Sequence, residues 1–272
     1  MNRRGHACRV FVLLALFAAA PALFAAPAMA AGVIPDRYLS YSGTATAPHS
    51  TDILYGEHHV LHYRGGQLAD RVVLYTCRDG RPFARKTAVY GDPLAPDFLL
   101  EDDSTGMREG VRTQADQRVV FFRRVRVETE KSGPLPSVPG LVVDTGFDEF
   151  IRAHWQQLMT GAGVGMHFLV PSRLESMSFQ VQHVRADSLD GVPTEVFRLK
   201  LAGVLGWVLP GIDVSYSADD PVLVRYEGLS DLRDAAGNNY PASITFHSID
   251  RRLATEQEGV GARQAVLAPC LR

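Results

Sequence analysis

The stretch SFQVQH at residues 178–183 alternates polar and apolar side chains, with Phe179 and Val181 each flanked by polar neighbours. The stretch FRLKL at residues 197–201 repeats the pattern, since every second residue is apolar. Such alternation places the apolar side chains of a strand on one face and the polar side chains on the other. Strands with one buried and one solvated face are typical of antiparallel sheets. These two stretches therefore predict an antiparallel β fold.

Similar β-rich runs continue along the chain, and turn signals separate them. Asp79-Gly80 and Asp190-Gly191 are strong hairpin pairs. The predicted strands occupy residues 54–63, 71–77, 85–90, 119–128, 164–170, 176–184, 194–201, 212–217, 222–226 and 240–249. This spacing is typical of sandwiches and barrels. We predict a mainly β fold with a strongly curved antiparallel sheet that forms an open half-barrel, and a β-sandwich is the alternative.

One amphipathic helix is predicted from Thr145 to about residue 160. Thr145 supplies a capping hydroxyl, and the acidic residue Asp148 follows three positions later. Apolar or aromatic side chains then recur at helical spacing, at Phe147, Phe150, Ile151, His154 and Leu158. Gly161 is placed to end the helix. We expect this helix to pack on the concave face of the sheet, and the pattern also permits a short helical turn at residues 229–234.

The first 30 residues have the layout of a secretory signal peptide. Three arginines precede an apolar run at residues 10–24, and the small-x-small sequence AMA at residues 28–30 follows it. The run is too short and too interrupted by prolines for a membrane span of roughly 20 apolar residues. We predict cleavage after Ala30, a periplasmic location, and a single soluble β-rich domain at residues 31–272. We expect no transmembrane segment after cleavage.

The charge balance bears on possible partners. The chain contains 28 basic and 30 acidic residues, and the signal segment holds three of the basic and none of the acidic ones, which leaves a net charge of −5. Affinity for nucleic acid comes mostly from neutralising phosphates with basic side chains. We therefore expect no nucleic-acid partner.

Two cysteines, Cys77 and Cys270, follow the signal segment. Two thiols in an oxidising compartment suggest one disulfide. This bridge would close most of the exported chain into one loop and attach its C-terminal tail. Two unpaired thiols, one of them buried, are the alternative.

Two stretches of the sequence are rich in metal-ligating side chains. His58 and His62 lie in a predicted strand, where four residues span about 13 Å, too far for both to bind one ion. The acidic run at residues 101–104 lacks the spaced acids, the central glycine and the final glutamate of a calcium loop. We interpret these motifs as a strand face and a solvated turn, and we predict no metal site.

Two further stretches resemble cofactor-binding or catalytic motifs but do not match them. The glycine-rich sequence at residues 161–165 follows a helix and enters a strand, the reverse of a nucleotide-binding loop. The sequence GLSDL at residues 228–232 is not the Gly-x-Ser-x-Gly nucleophile motif. We interpret Ser230 or Asp231 as a local cap, and we predict no cofactor and no catalytic residue.

The uncharged segment at residues 201–212 lies between two amphipathic strands, where a polar turn is usual. It is either a buried apolar connector or an apolar lip that contacts a lipid, an acyl chain or a partner protein. Exposed apolar patches of this kind mark interaction sites.

The C-terminal half resembles a diffuse group of uncharacterised bacterial periplasmic proteins. The resembling sequences are residues 197–201, IDVSY at 212–216, LVRYEGLSDL at 223–232, and Gly237 to Phe246. The layout of a long antiparallel meander curled around a helix also resembles the lipoprotein-carrier half-barrels. This resemblance implies a concave apolar face that holds acyl chains. The carriers have further helical lids, whereas this sequence predicts one helix.

We therefore predict a non-catalytic binding protein of the cell envelope rather than an enzyme. Its partner would be an apolar small molecule, an acyl chain or an envelope protein such as a lipoprotein. The candidate ligand-lining residues are Phe150, Trp155, Phe168, Phe179, Phe197, Trp207 and Tyr226. An envelope hydrolase using His154 or His183 with a nearby acid, and an assembly partner docking through Trp207 and Leu209, are the alternatives.

Overall fold

A computed structural model of the chain describes residues 34–203, 211–234, 236–247 and 250–270. From Ile34 onward the chain forms one compact unit. The predicted signal segment lies outside the described residues, so cleavage after Ala30 and the domain bounds at 31–272 stay predictions. Most of the uncharged segment, including Trp207 and Leu209, also lies outside them.

Sixteen strands and three α-helices are described. The strands are β1 (Arg37–Thr46), β2 (Ile53–Arg64), β3 (Gln67–Thr76), β4 (Pro82–Val89), β5 (Asp97–Asp102), β6 (Met107–Gln114), β7 (Gln117–Arg123), β8 (Lys131–Pro134), β9 (Leu141–Val142), β10 (Val164–Val170), β11 (Glu175–Leu189), β12 (Val192–Leu201), β13 (Ile212–Ser217), β14 (Leu223–Arg233), β15 (Asn239–Phe246) and β16 (Arg252–Ala254). The helices are α1 (Gly146–Ala153), α2 (Trp155–Met159) and α3 (Glu256–Gln264), and a short 3-10 helix occupies Pro171–Arg173.

All these strands belong to one sheet, in the order β8-β7-β6-β5-β4-β3-β2-β1-β15-β14-β13-β12-β11-β10-β9, with β16 also paired to β1. Each described pair is antiparallel except β9 with β10. Within the described part of the chain the end strands β8 and β9 do not pair with each other, so the sheet is not closed. The predicted mainly β fold with a curved, open antiparallel sheet is confirmed.

Contacts across the sheet show how strongly it curves. Arg71 on β3 and Tyr216 on β13 both bond the carboxylate of Asp148 on α1, at 3.0 and 2.9 Å. Five interstrand steps separate β3 from β13, which corresponds to about 24 Å in a flat sheet. One carboxylate can bond both strands only because the sheet curves around α1. We call the face of the sheet that carries Arg71 the inner face and the opposite face the outer face.

The apolar residues form two main clusters. The larger cluster lies on the inner face and includes Tyr41, Val73 and Leu100. The smaller cluster lies between α1, α2 and the strands β10 to β13. Strand β10 contributes to both, because Met166 packs in the smaller cluster and Leu169 in the larger one. One face of this strand is therefore covered by the smaller cluster, whereas on the other face Leu169 is buried and Gly165 is exposed.

The predicted helix is present but is broken in two at His154, which has φ −106° and ψ 11°. Thr145 does not cap α1 with its side chain; its hydroxyl oxygen instead accepts a hydrogen bond from Tyr90 Oη at 2.7 Å. Gly161, with φ +81°, follows α2 and ends the helical region as expected. The helical turn considered at residues 229–234 is wrong, because these residues belong to β14, whose pairing to β15 is irregular there.

Helix α3 was not predicted, although its start carries a recognisable signal. Thr255 accepts a hydrogen bond from the Glu258 backbone, and the Glu258 side chain accepts one from the Thr255 backbone. This reciprocal capping box is readable from the spacing of a threonine and a glutamate three residues later. Helix α3 packs on the outer face, where Ala262 contacts Val60 and Val72.

Candidate functional site

The smaller apolar cluster brings together six of the seven predicted ligand-lining residues. Phe150 and Phe197 lie inside it, and Trp155, Phe168, Phe179 and Tyr226 pack against it. Trp207 lies outside the described residues. The positions thus converge on one site, formed by α1, α2 and the strands β10 to β14.

Four aromatic rings follow one another along one side of this cluster. Ring centroids lie 6.4 Å apart for Phe150 and Phe147, 6.5 Å for Phe147 and Phe168, and 6.2 Å for Phe168 and Phe179. Phe150 is buried, whereas the other three side chains are half-buried. We call Phe147, Phe168 and Phe179 the aromatic row. Phe147 was recognised in the helix pattern but was not included among the candidate lining residues.

The remaining predicted residues are packed as interior. Phe197 is fully buried and contacts Trp155 and Tyr216 edge-on, at centroid distances of 5.1 and 6.1 Å. Tyr226 is half-buried and donates its hydroxyl hydrogen to the backbone oxygen of Leu229. The aromatic row is therefore a partly accessible part of this cluster, whereas Phe150 and Phe197 belong to its interior.

The inner face also carries buried charges that sequence reasoning missed. Arg71 and Asp148 form an ion pair with side chains 5% and 9% exposed, and Tyr216 donates a second hydrogen bond to the carboxylate. Burial alone would raise the pKa of Asp148, but the charges of Arg71 and Arg152 and the hydrogen bonds outweigh it and lower the pKa. The carboxylate therefore stays ionised and holds α1 against both β3 and β13.

A second charged group lies on β4 and β14. Lys86 Nζ donates to Asp144 Oδ1 at 2.6 Å and also to Asp231 Oδ2. The Lys86 and Asp144 side chains are 6% and 9% exposed, whereas that of Asp231 is 48% exposed. Asp231 is thus the solvent-facing member of this group. The expectation that Ser230 or Asp231 acts as a local cap is wrong, because Asp231 bonds a distant lysine and Ser230 is buried in a strand.

Glu109 on β6 lies deeper on the same face. Burial, followed by the negative charge of Asp231, raises its pKa to about 8. Its cationic neighbour Arg233 lies 4.0 Å away, and the Arg233 guanidinium also lies 5.1 Å from the ring centre of Phe122. The part of the inner face formed by β4, β6 and β14 is therefore polar, and apolar groups are disfavoured beside these buried polar side chains.

The histidines considered for catalysis or metal binding have ordinary structural partners. His154 Nδ1 lies 2.9 Å from the Phe150 backbone oxygen, and His183 Nε2 lies 2.6 Å from Glu195 Oε2. In the described part of the chain, neither histidine hydrogen-bonds a hydroxyl or a thiol. His58 and His62 lie on strand β2 as predicted, and the described residues contain no group of three or more His, Cys, Asp or Glu side chains that could hold a metal ion.

The acidic run at residues 101–104 is more ordered than a solvated turn. Asp102 is buried, and its carboxylate accepts hydrogen bonds from the Ser104 backbone and the Thr105 hydroxyl, at 2.8 and 2.9 Å. Burial, which outweighs these bonds, raises the pKa of Asp102. The carboxylate closes the turn between β5 and β6.

Cys77 and Cys270 form a disulfide, as predicted, with Cα atoms 5.6 Å apart. Disulfides persist in oxidising compartments, so the bridge points toward an exported protein. Among the helices of the described residues, none is long and apolar enough to span a membrane.

The fold and the site define a mainly β protein whose unclosed sheet curves around a helix and an aromatic cluster. A crystal structure of a β-barrel-like protein with a domain of unknown function, DUF1849, from Brucella abortus is similar, with a TM-score of 0.40 and 9% identity over 82% of this chain and 100% of that chain. A putative outer membrane lipoprotein-sorting protein domain from Vibrio parahaemolyticus has a TM-score of 0.32 and 9% identity, over 84% and 90% of the two chains. No protein-family model and no curated protein matches the chain.

Proposed function

We propose that this chain is a non-catalytic binding protein of the bacterial periplasm that holds an acyl chain or another apolar small molecule. The observation that carries this proposal is the aromatic row, because Phe147, Phe168 and Phe179 form one continuous apolar surface that remains partly accessible. Export through a signal peptide cleaved after Ala30 is part of the proposal, and the disulfide supports it.

The buried charges of the inner face support a ligand position beside α1 and α2. The Lys86–Asp144 ion pair and the polar side chain of Glu109 fill part of the inner face, and α1 covers another part through the Arg71 ion pair. An acyl chain therefore does not lie along the whole concave face. It lies along the aromatic row, beside α1 and α2, where its methylene groups replace water on half-buried rings.

Binding of a dansyl-labelled fatty acid to the purified protein tests this function. Phe168→Ser and Phe179→Ser should each weaken binding by about tenfold, since each removes a large apolar contact. Leu253→Ser is the matched control, because Leu253 is an apolar residue 73% exposed on β16. This control should bind the probe as tightly as the unmodified protein, and thermal unfolding should confirm that all three variants fold.

Extraction of natively purified protein with organic solvent, followed by mass spectrometry, identifies any ligand retained from the cell. We expect one or more acylated molecules. The amount of ligand per protein molecule should be lower in the Phe168→Ser variant than in the unmodified protein. A protein that carries no extractable ligand and binds no fatty-acid probe would refute the proposed function.

A further inference from the structure

The C-terminal strap consists of α3 and the residues that follow it to Cys270. It crosses the outer face of the sheet at β2, β3 and β4. Ala262 of the strap packs against Val60 and Val72, which are 2% and 1% exposed. The strap therefore covers a small apolar strip on the outer face.

The strap has little stability of its own. Gly259 and Ala262 are its buried helical residues, so α3 offers a small apolar surface to the sheet. A nine-residue helix is marginal in isolation, and the interior glycines Gly259 and Gly261 weaken it further. Its place on the sheet depends on its attachments.

Apart from the apolar contact of Ala262, the noncovalent attachments are polar. Arg263 pairs with Asp70, and Arg85 Nη1 donates to the backbone oxygens of Arg263 and Ala265 at 2.5 and 3.0 Å. The Ala268 backbone donates to the Pro82 oxygen at 3.0 Å. Partly exposed ion pairs and hydrogen bonds of this kind contribute little each, because water competes for the same groups. The Cys77–Cys270 bridge is the covalent attachment.

We propose that the Cys77–Cys270 disulfide is a redox site whose reduction releases the C-terminal strap while the sheet stays folded. The reductant is a dithiol, either a small molecule or a thiol–disulfide oxidoreductase. It gives two electrons and two protons to the disulfide and is itself oxidised to a disulfide. Release uncovers the strip at Val60 and Val72 and frees the capped start of α3.

Accessibility decides which sulfur is attacked first. Cys77 is 7% exposed, whereas Cys270 is half-buried near the end of the strap. The incoming thiolate therefore bonds to Cys270 Sγ, the bond between the two cysteines breaks, and Cys77 leaves as a thiolate that takes up a proton. The second thiol of the reductant, as a thiolate, then attacks the mixed disulfide and releases Cys270, which takes up the second proton.

Hydrogen exchange of the oxidised and dithiothreitol-reduced protein tests the release. Amides of α3 should exchange at least about tenfold faster after reduction, whereas central amides of β2 and β3 keep their protection. The double variant Cys77→Ser/Cys270→Ser should reproduce this result without reductant. Unchanged protection of α3, or a joint loss of protection in α3 and the sheet, would overturn the proposal.

Arg263→Gln with the disulfide intact is the control for the polar attachments. Its α3 amides should remain protected, because the covalent bridge still holds the strap; loss of protection in this variant would contradict the role given to the disulfide. Brief treatment with glutathione and an acid quench, followed by peptide mapping, locates the attacked sulfur. The adduct should be on Cys270, and an adduct mainly on Cys77 would contradict the proposed order of attack.

Discussion

Arg71 Nη2 lies 3.0 Å from Asp148 Oδ2, and this ion pair joins strand β3 to helix α1, which the sheet curves around. Both side chains are nearly inaccessible to water. Tyr216 donates to the other oxygen of the same carboxylate, so Asp148 also ties the helix to β13. The pair therefore helps to hold the two halves of the sheet around α1.

Removing one member of this pair should destabilise the protein strongly. Asp148→Leu leaves Arg71 buried without its anion, which should lower the free energy of unfolding by about 3–5 kcal/mol. The double variant Arg71→Met/Asp148→Leu should cost clearly less than Asp148→Leu alone, since no buried charge is left unpaired. Urea unfolding of the three proteins measures both values, and equal costs for single and double variants would contradict this account. Asp187→Leu, in a pair exposed to solvent, should leave the unfolding midpoint unchanged.

Substitutions of Lys86 and of Asp231 should lower the free energy of unfolding by unequal amounts. Lys86→Met leaves Asp144 buried without its cation, and we expect a loss of about 3–5 kcal/mol. Asp231→Asn should cost about 1 kcal/mol or less, because that carboxylate is half exposed to water. Urea unfolding of both variants measures the ranking. A larger loss for Asp231→Asn would show that the lysine depends on the exposed carboxylate instead.

Glu109 should make stability fall between mildly acidic and mildly basic pH. Its pKa in the folded protein is about 8, above the ordinary value of 4.5, because burial disfavours the charged form. Between these values the folded state binds more protons than the unfolded state, so this group lowers stability as pH rises, by up to about 1.4 kcal/mol per pH unit. The free energy of unfolding, measured from pH 5 to about pH 8, should fall less steeply in Glu109→Gln.

Glu128→Gln is the control for this pH effect. Glu128 pairs with Arg124 at the protein surface, where its side chain is 35% exposed. This variant should keep the pH slope of the unmodified protein. A Glu109→Gln variant with that same slope would contradict the prediction for Glu109.

Gly110 on β6 should be intolerant of any side chain. A Cβ atom there would lie 2.0 Å from the Phe98 backbone oxygen and 2.9 Å from the Phe121 ring. Gly110→Ala should therefore displace the β5–β6 pairing and lower the melting temperature by several degrees. Gly165→Ala on β10 is the matched control, since its nearest atom would be 3.6 Å away. Equal melting temperatures for both variants would show that β5 and β6 can separate without cost.

Much of the sheet could be predicted from local patterns. Strands β11 and β12 alternate apolar and polar residues because one face of each strand is turned toward the apolar cluster. The helix around Phe150 could be predicted from its apolar stripe, and the disulfide followed from a cysteine count and an export signal. Phe150, Phe168, Phe179 and Phe197 meet at one cluster, and their role in lining a ligand stays a prediction.

The missed elements have identifiable physical reasons. Strand β6 carries Glu109 at an inner-face position between Met107 and Val111, so its alternation is interrupted by a charge. The helix that was predicted as continuous breaks at His154, whose ring packs on Phe150 at 4.3 Å. Helix α3 has little apolar periodicity, because its glycines and charges dominate its sequence, and only its capping box marks its start.

The sequence by itself determined which residues form most of the strands, which face of each strand is apolar, and which two cysteines can pair. These properties depend on neighbours close in the chain or on a simple count. The tertiary structure alone decided that Arg71 meets Asp148, 77 positions later, and that Lys86 meets Asp231, 145 positions later. In the sequence each of these charges is indistinguishable from a solvated surface residue. Their burial arises only when the sheet curves and brings the side chains of distant strands to the same side of α1.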